Sequence, residues 1–220
     1  MFEKPKKRLV MGLGGGLVCS CRSDKVLEKL LLAHDNDYLI STVDMTAGYI
    51  KFIQTVVGGD RIWLDSGGFT LFKKQKKLGE NNPDFWNECE KMKKKFLRFL
   101  KTYRFKMCFE LDNEYFRKDD DLLSPKNYLR DEIKEITGYY PAPVFKMHQG
   151  FQYWKDLCDS ALYPILSIGG LAQARQWHVY RDELGKMMKY ARDKGKYVHL
   201  LGCSNVETTR FVMPDSVDFS

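Results

Sequence analysis

Short apolar runs alternate with longer segments of helical periodicity along the whole chain, and this alternation limits the fold more than any other feature. Eight runs read as strands: Arg8–Leu13, Asp37–Ser41, Arg61–Asp65, Lys106–Asp112, Pro143–His148, Tyr163–Ile168, Tyr197–Leu201 and Ser216–Phe219. The segments between them carry helix signals. Phe85, Cys89, Met92, Phe96, Leu100 and Tyr103 form an apolar stripe at helical spacing, and Trp177, Tyr180, Leu184, Met187 and Ala191 form another. Both stripes are expected to face a core. Ser124 reads as a helix cap with Pro125 in the first helical position, and Gly138 lies beyond that helix's end. Lys73–Pro83 reads as a long loop with a basic start. Strand, helix, strand in regular succession is the pattern of a parallel α/β fold. Eight such units in 220 residues predict a compact TIM (β/α)8 barrel, a single domain over residues 1–220. Such barrels usually run to about 250 residues. A doubly wound sheet satisfies the same alternation and stays open.

Several strand-like runs end in polar or glycine-rich motifs. Arg61-Ile62-Trp63-Leu64 leads into Asp65-Ser66-Gly67-Gly68-Phe69, which sets a carboxylate where backbone can approach a flat ligand closely. Later runs end in Asp112-Asn113-Glu114, His148-Gln149-Gly150, Gly169-Gly170-Leu171 and Val217-Asp218-Phe219-Ser220. In a barrel all of these fall at the C-terminal ends of strands, the face where such folds keep their active sites. Asp65, Asp112 and Asp218 would there meet at one mouth. Each motif also has a plainer reading. A strand-end aspartate often caps the next helix, a reading that Asn113 and Glu114 favour for Asp112. Gly169-Gly170 can be a tight turn. His148, within an apolar run, reads as a core histidine, as does His199; His34 and His178 read as helix-surface residues. No histidine is assigned to catalysis.

Composition narrows the function classes. Hydrophobic residues make up 44% of the chain, which suits a globular protein. No apolar run approaches the roughly 20 residues that span a bilayer, and no signal-peptide apolar region follows the basic start Met1–Lys7, so a cytoplasmic protein without membrane partners is expected. Cys89, Cys108, Cys158 and Cys203 are scattered through strand-like and helix-like segments, as reduced packing residues are. Cys19 and Cys21 are a close pair without a second Cys/His pair at zinc-site spacing, so no metal or other cofactor is expected. Lys and Arg number 36 against 29 Asp and Glu, a net charge of +7 that suits a polyanion partner. Lys73, Lys74, Lys76 and Lys77 follow the first motif directly and are expected to hold phosphates at the rim.

Taken in order, the five motifs resemble the queuine/archaeosine tRNA-guanine transglycosylase family, from about residue 60 onward. That family includes phage and bacterial relatives that exchange guanine for 7-deazaguanines in DNA. The resemblance implies a nucleophile at Asp218, which would hold the sugar covalently while the base is replaced. It implies a general acid/base role for Asp65 and recognition of the guanine face by Asp112. Ser66 and Gln149 would hydrogen-bond the base, the backbone of Gly169, Gly170 and Leu171 would meet its 7-substituent, and Phe69 and Leu201 would sandwich the ring. The partners implied are DNA or tRNA, free guanine and a free 7-deazaguanine. The chain departs from the tRNA enzymes in three ways. It lacks their zinc-binding cysteine cluster, carries Thr70 where they usually have Gln, and stops two residues after Asp218. These departures favour the shorter DNA-directed relatives. They also fit a fragment, or a chain completed by a homodimer or a partner subunit where the last barrel helix would lie. The same exchange on tRNA and a non-catalytic partner subunit are the competing readings. A small-molecule barrel enzyme would need a Schiff-base lysine, for which Lys146 is the nearest candidate.

Overall fold

The structure is a computed structural model and describes residues 10–13, 24–32, 37–170, 180–203 and 206–218. Leu171, Trp177, His34, His178, Cys19, Cys21 and the last two residues of the terminal motif lie outside these. Strand β1 (Val10–Leu13) comes first among the described elements. The chain divides into two compact units, one spanning Leu13–Pro141 and the other Met1–Gly12 with Ala142–Ser220.

In the unit 13–141, helix α1 (Asp24–Leu32) precedes β2 (Asp37–Ser41), α2 (Ala47–Val57), β3 (Ile62–Asp65), α3 (Gly68–Leu78), α4 (Pro83–Thr102), β4 (Met107–Cys108) and α5 (Arg130–Thr137). Strands β2, β3 and β4 pair in parallel, with Tyr38 opposite Ile62 and Trp63 opposite Met107. Tyr38, Leu39, Ile40, Ile62, Trp63 and Leu64 are all buried, the continuous apolar run of a parallel strand covered on both faces. The Trp63 indole and the Lys106 ammonium both donate to Asp37 Oδ2, at 3.1 and 2.8 Å, and so partner one oxygen of a carboxylate buried at the start of β2. Helix α4 begins as its sequence prescribes: the Asn82 side chain accepts from Asp84 N at 2.9 Å and Pro83 occupies the first turn. Of the expected stripe, Phe85, Cys89, Met92, Phe96 and Leu100 are buried, with Phe99 added, whereas Tyr103 is the half-buried residue that caps the helix's end.

In the unit containing residues 142–220, β5 (Val144–Lys146), α6 (Gly150–Asp159), β6 (Ile165–Gly169), α7 (Arg181–Asp193), β7 (Tyr197–Leu200), α8 (Val206–Val212) and β8 (Ser216–Val217) follow in turn. The strands lie in the order β5-β6-β7-β8, every neighbouring pair parallel. Phe145 and Trp154 meet edge to face with centroids 5.2 Å apart, and the Trp154 indole donates to Met187 O, tying α6 to α7. Leu184, Met187 and Ala191 are buried as expected, whereas Tyr180 precedes the helix and is half-buried. Alternating elements and parallel pairing make this an α/β protein.

Three expectations are corrected. Residues 73–78 belong to α3 and not to a loop: leucine, lysine and glutamine all favour a helix, and the turn comes only at Gly79, with φ +90°. The helix expected from Ser124 and Pro125 starts at Arg130 instead. Asn127 is the reason, because its side chain accepts from Lys118 N and Asp119 N and donates to Asp119 O and Asp121 O. That knot holds the segment in turns, with Tyr128 and Leu129 at φ 55° and 63°. Gly138 does end the helix, at φ 82°. Finally, β5 stops at Lys146, where the Gln149 side chain accepts from Lys146 N at 2.7 Å and closes a short 3-10 turn. His148 is therefore exposed and not a core histidine.

Candidate functional site

Strand β3 delivers Asp65 to the start of α3. The Asp65 carbonyl accepts from both Thr42 N and Thr42 Oγ1, at 2.9 and 2.7 Å, and its carboxylate Oδ1 accepts from Gly67 N at 3.3 Å. Gly67 caps α3 in the left-handed region, at φ 88°, where a Cβ would also lie 2.7 Å from Val43 Cγ2. At Gly68, the first residue of α3, a Cβ would lie only 1.9 Å from Asp112 Oδ1. The Asp112 carboxylate thus rests against bare backbone at the helix's positive end. Asp65, buried Ser66 and Asp112 are brought together at this point of the unit 13–141. The capping role that competed for Asp112 falls to Asn113. Its side chain accepts from Tyr115 N at 3.0 Å and donates to Gln75 Oε1 of α3 at 3.2 Å.

Phe69 is 50% exposed, and Lys73 Nζ lies 4.3 Å above the centre of its ring. Lys76 covers Phe72 in the same way, at 4.5 Å. Lys74 is committed to Glu88, whose other oxygen takes Lys91 at 2.9 Å. Hydrogen bonds from the two ammonium groups hold the Glu88 carboxyl below its ordinary range. The groove lined by Lys74, Lys77 and Lys91 also takes in Asp84 and Glu88, so its charge is mixed.

In the other unit, Gly169 ends β6 where a Cβ would lie 2.7 Å from Val144 Cγ1 of β5, and Gly170 turns the chain at φ 81°. Gly169 thus has a packing reason and Gly170 a conformational one, each sufficient without a ligand. The Gln149 side-chain oxygen Oε1 accepts from Lys146 N. Leu201 N donates to Ile168 O at 3.0 Å and its side chain is half-buried.

Asp218 follows β8 and is 3% exposed. Its Oδ1 accepts from Gly202 N at 2.7 Å and lies 3.1 Å from His199 Nε2. The other ring nitrogen, Nδ1, lies 2.8 Å from Ser216 Oγ. His199 on β7 stands opposite Ser216 on β8, and Asp218 is two residues further on. His199, Ser216 and Gly202 were not among the expected site residues. The Ser216-x-Asp218 spacing was the available signal, since residues two apart share one side of an extended segment.

Among the described residues, no group of three or more His, Cys, Asp or Glu side chains is placed to hold a metal ion. No described helix is long and apolar enough to cross a membrane. No family model and no curated protein matches the chain. Among solved structures it is similar to the endo-β-1,4-mannanase from Thermotoga petrophila, with 11% identity and a TM-score of 0.49 over 98% of this chain and 68% of that one.

Proposed function

We propose that the chain exchanges guanine for a 7-deazaguanine base in DNA through a covalent aspartyl–sugar intermediate. The observation that carries this reading is the placement of Asp112 and Asp65 at the Gly67–Gly68 start of α3. Two carboxylates beside uncovered backbone suit the N–H edge of a flat purine, and the exposed Phe69 ring offers a face to stack on. With this reading goes the closed eight-stranded barrel expected from the sequence.

The chemistry balances with the acids available. Asp218 attacks the anomeric carbon as the bond from that carbon to the guanine nitrogen breaks, and the departing base takes a proton from Asp65. The incoming base returns a proton to Asp65 as its nitrogen attacks the same carbon and frees the Asp218 carboxylate. Both described donors reach Oδ1 of Asp218, which supports Oδ2 as the attacking oxygen. Phosphate contacts fall most naturally to Lys73, Lys76 and Lys77, because Lys74 is already paired with Glu88.

The test is incubation with radiolabelled guanine and either plasmid DNA or tRNA. Wild-type protein is expected to place label in DNA, and Asp218→Asn to place none while keeping its circular dichroism spectrum. Label in tRNA alone would move the substrate to that polymer. Folded wild-type protein that labels neither, or an Asp218→Asn variant with full activity, would overturn the reading.

A further inference from the structure

We propose that His199 is the positioning residue for Asp218, an inference that rests on the exchange chemistry above. With the Gly202 N–H it holds the carboxylate by Oδ1 and leaves Oδ2 turned to the sugar.

His199 is 0% exposed, and a ring buried so fully is tolerated only where its polar atoms find partners. Here both nitrogens do, at Ser216 Oγ and Asp218 Oδ1. A carboxylate oxygen only accepts, so Nε2 carries the hydrogen of that bond. The Ser216 hydroxyl rotates freely. It donates to Nδ1 of a neutral ring and accepts from Nδ1 of a charged one, so the ring keeps both contacts through either state. Ser216 is buried as well and its position is set by the β7–β8 register, so it anchors the far side of the ring. Gly202, at φ 63°, turns its N–H onto the same carboxylate oxygen from the end of β7. A carboxylate free to rotate about its last bond would present its attacking oxygen only part of the time. Two donors on one oxygen remove that rotation, which is the kind of orientation from which nucleophilic attack gains most.

A purely structural histidine would affect folding and leave the chemical step alone, so the test separates kcat from KM. His199→Phe keeps a ring and loses the donor, whereas His199→Gln keeps an N–H close to the Nε2 position. In guanine exchange, His199→Phe is expected to lower kcat by about 10- to 100-fold, the worth of a hydrogen bond to a charged group, with KM for the nucleic acid within about twofold. His199→Gln is expected to recover most of the loss. Equal kcat in wild type and His199→Phe, or equal losses in both variants, would overturn the proposal. The tautomer of His199 in the wild-type chain, read by nitrogen-15 NMR of the imidazole, decides independently of activity and of whether a variant folds. Hydrogen on Nε2 is expected, and hydrogen on Nδ1 alone would overturn the proposal. A wild-type chain that exchanges no base removes the reading of function, while the tautomer still decides how Asp218 is held.

Discussion

At Gly68 the backbone is ordinary helix, and it is the Asp112 carboxylate, 1.9 Å from where a methyl group would stand, that reserves the position for glycine. The displaced atom would be the end of a short side chain, and alanine favours a helix over glycine by about 1 kcal/mol. Gly68→Ala is therefore expected to leave the melting temperature within a few degrees of wild type and, under the proposed base exchange, to raise KM for guanine, because Asp112 must turn away. An unchanged KM, measured by steady-state exchange, would separate Asp112 from base recognition. A close approach at Gly67-Gly68 was legible in the sequence, because paired glycines directly after an apolar run mark one; that Asp112 is the group that approaches was not. Nor was His199. Its meaning lies in the β7–β8 register that sets it opposite Ser216, and a linear sequence carries no register. His148 misled for the complementary reason: its apolar neighbours imply a strand, but the Gln149 side chain ends that strand first.

Elements were read correctly where a single local rule governed them and missed where a distant side chain intervened. Helix α4 shows the first case: its apolar stripe was read from helical spacing alone and is buried from Phe85 to Leu100. The segment between β4 and α5 shows the second. After Cys108 the chain bonds once more to β3, through Phe109 N and Leu64 O at 3.1 Å, and then turns to Tyr128 O through Leu111 N. The excursion is held by Asn127 and by Arg130, whose guanidinium is wholly buried. Arg130 donates to Glu110 Oε2 at 2.6 Å and to the carbonyls of Leu122 and Ser124. Removing one member of such a pair leaves a buried charge without its partner, so Arg130→Ala is expected to cost about 3–5 kcal/mol in chemical denaturation. The double replacement Glu110→Leu with Arg130→Met is expected to be milder, since well-packed apolar groups of similar volume often replace a buried pair without loss. An unchanged unfolding midpoint in Arg130→Ala would show that the brace is not needed to hold the segment.

For the whole molecule, the α/β class was legible from the alternation of elements, because parallel strands need crossovers and buried strands read as unbroken apolar runs. The division of the chain into units 13–141 and 1–12 with 142–220 was not, since no change of composition marks residue 141. Each unit contains two described cysteines, Cys89 and Cys108 in the first and Cys158 and Cys203 in the second, all buried and none in a disulfide. Burial pushes the thiols of Cys89, Cys108 and Cys158 up to about 12, so these three stay protonated and unreactive far above neutral pH. Iodoacetamide at pH 8 is expected to leave them unmodified in the native protein and to alkylate them all in denaturant, as read by peptide mass spectrometry. Rapid modification of the native chain would contradict their burial. The scattered sulfurs thereby serve as a built-in clock: in mild denaturant, matching labelling rates at 89, 108 and 158 would mark a single cooperative opening, and an earlier signal from either side would show which half lets go first.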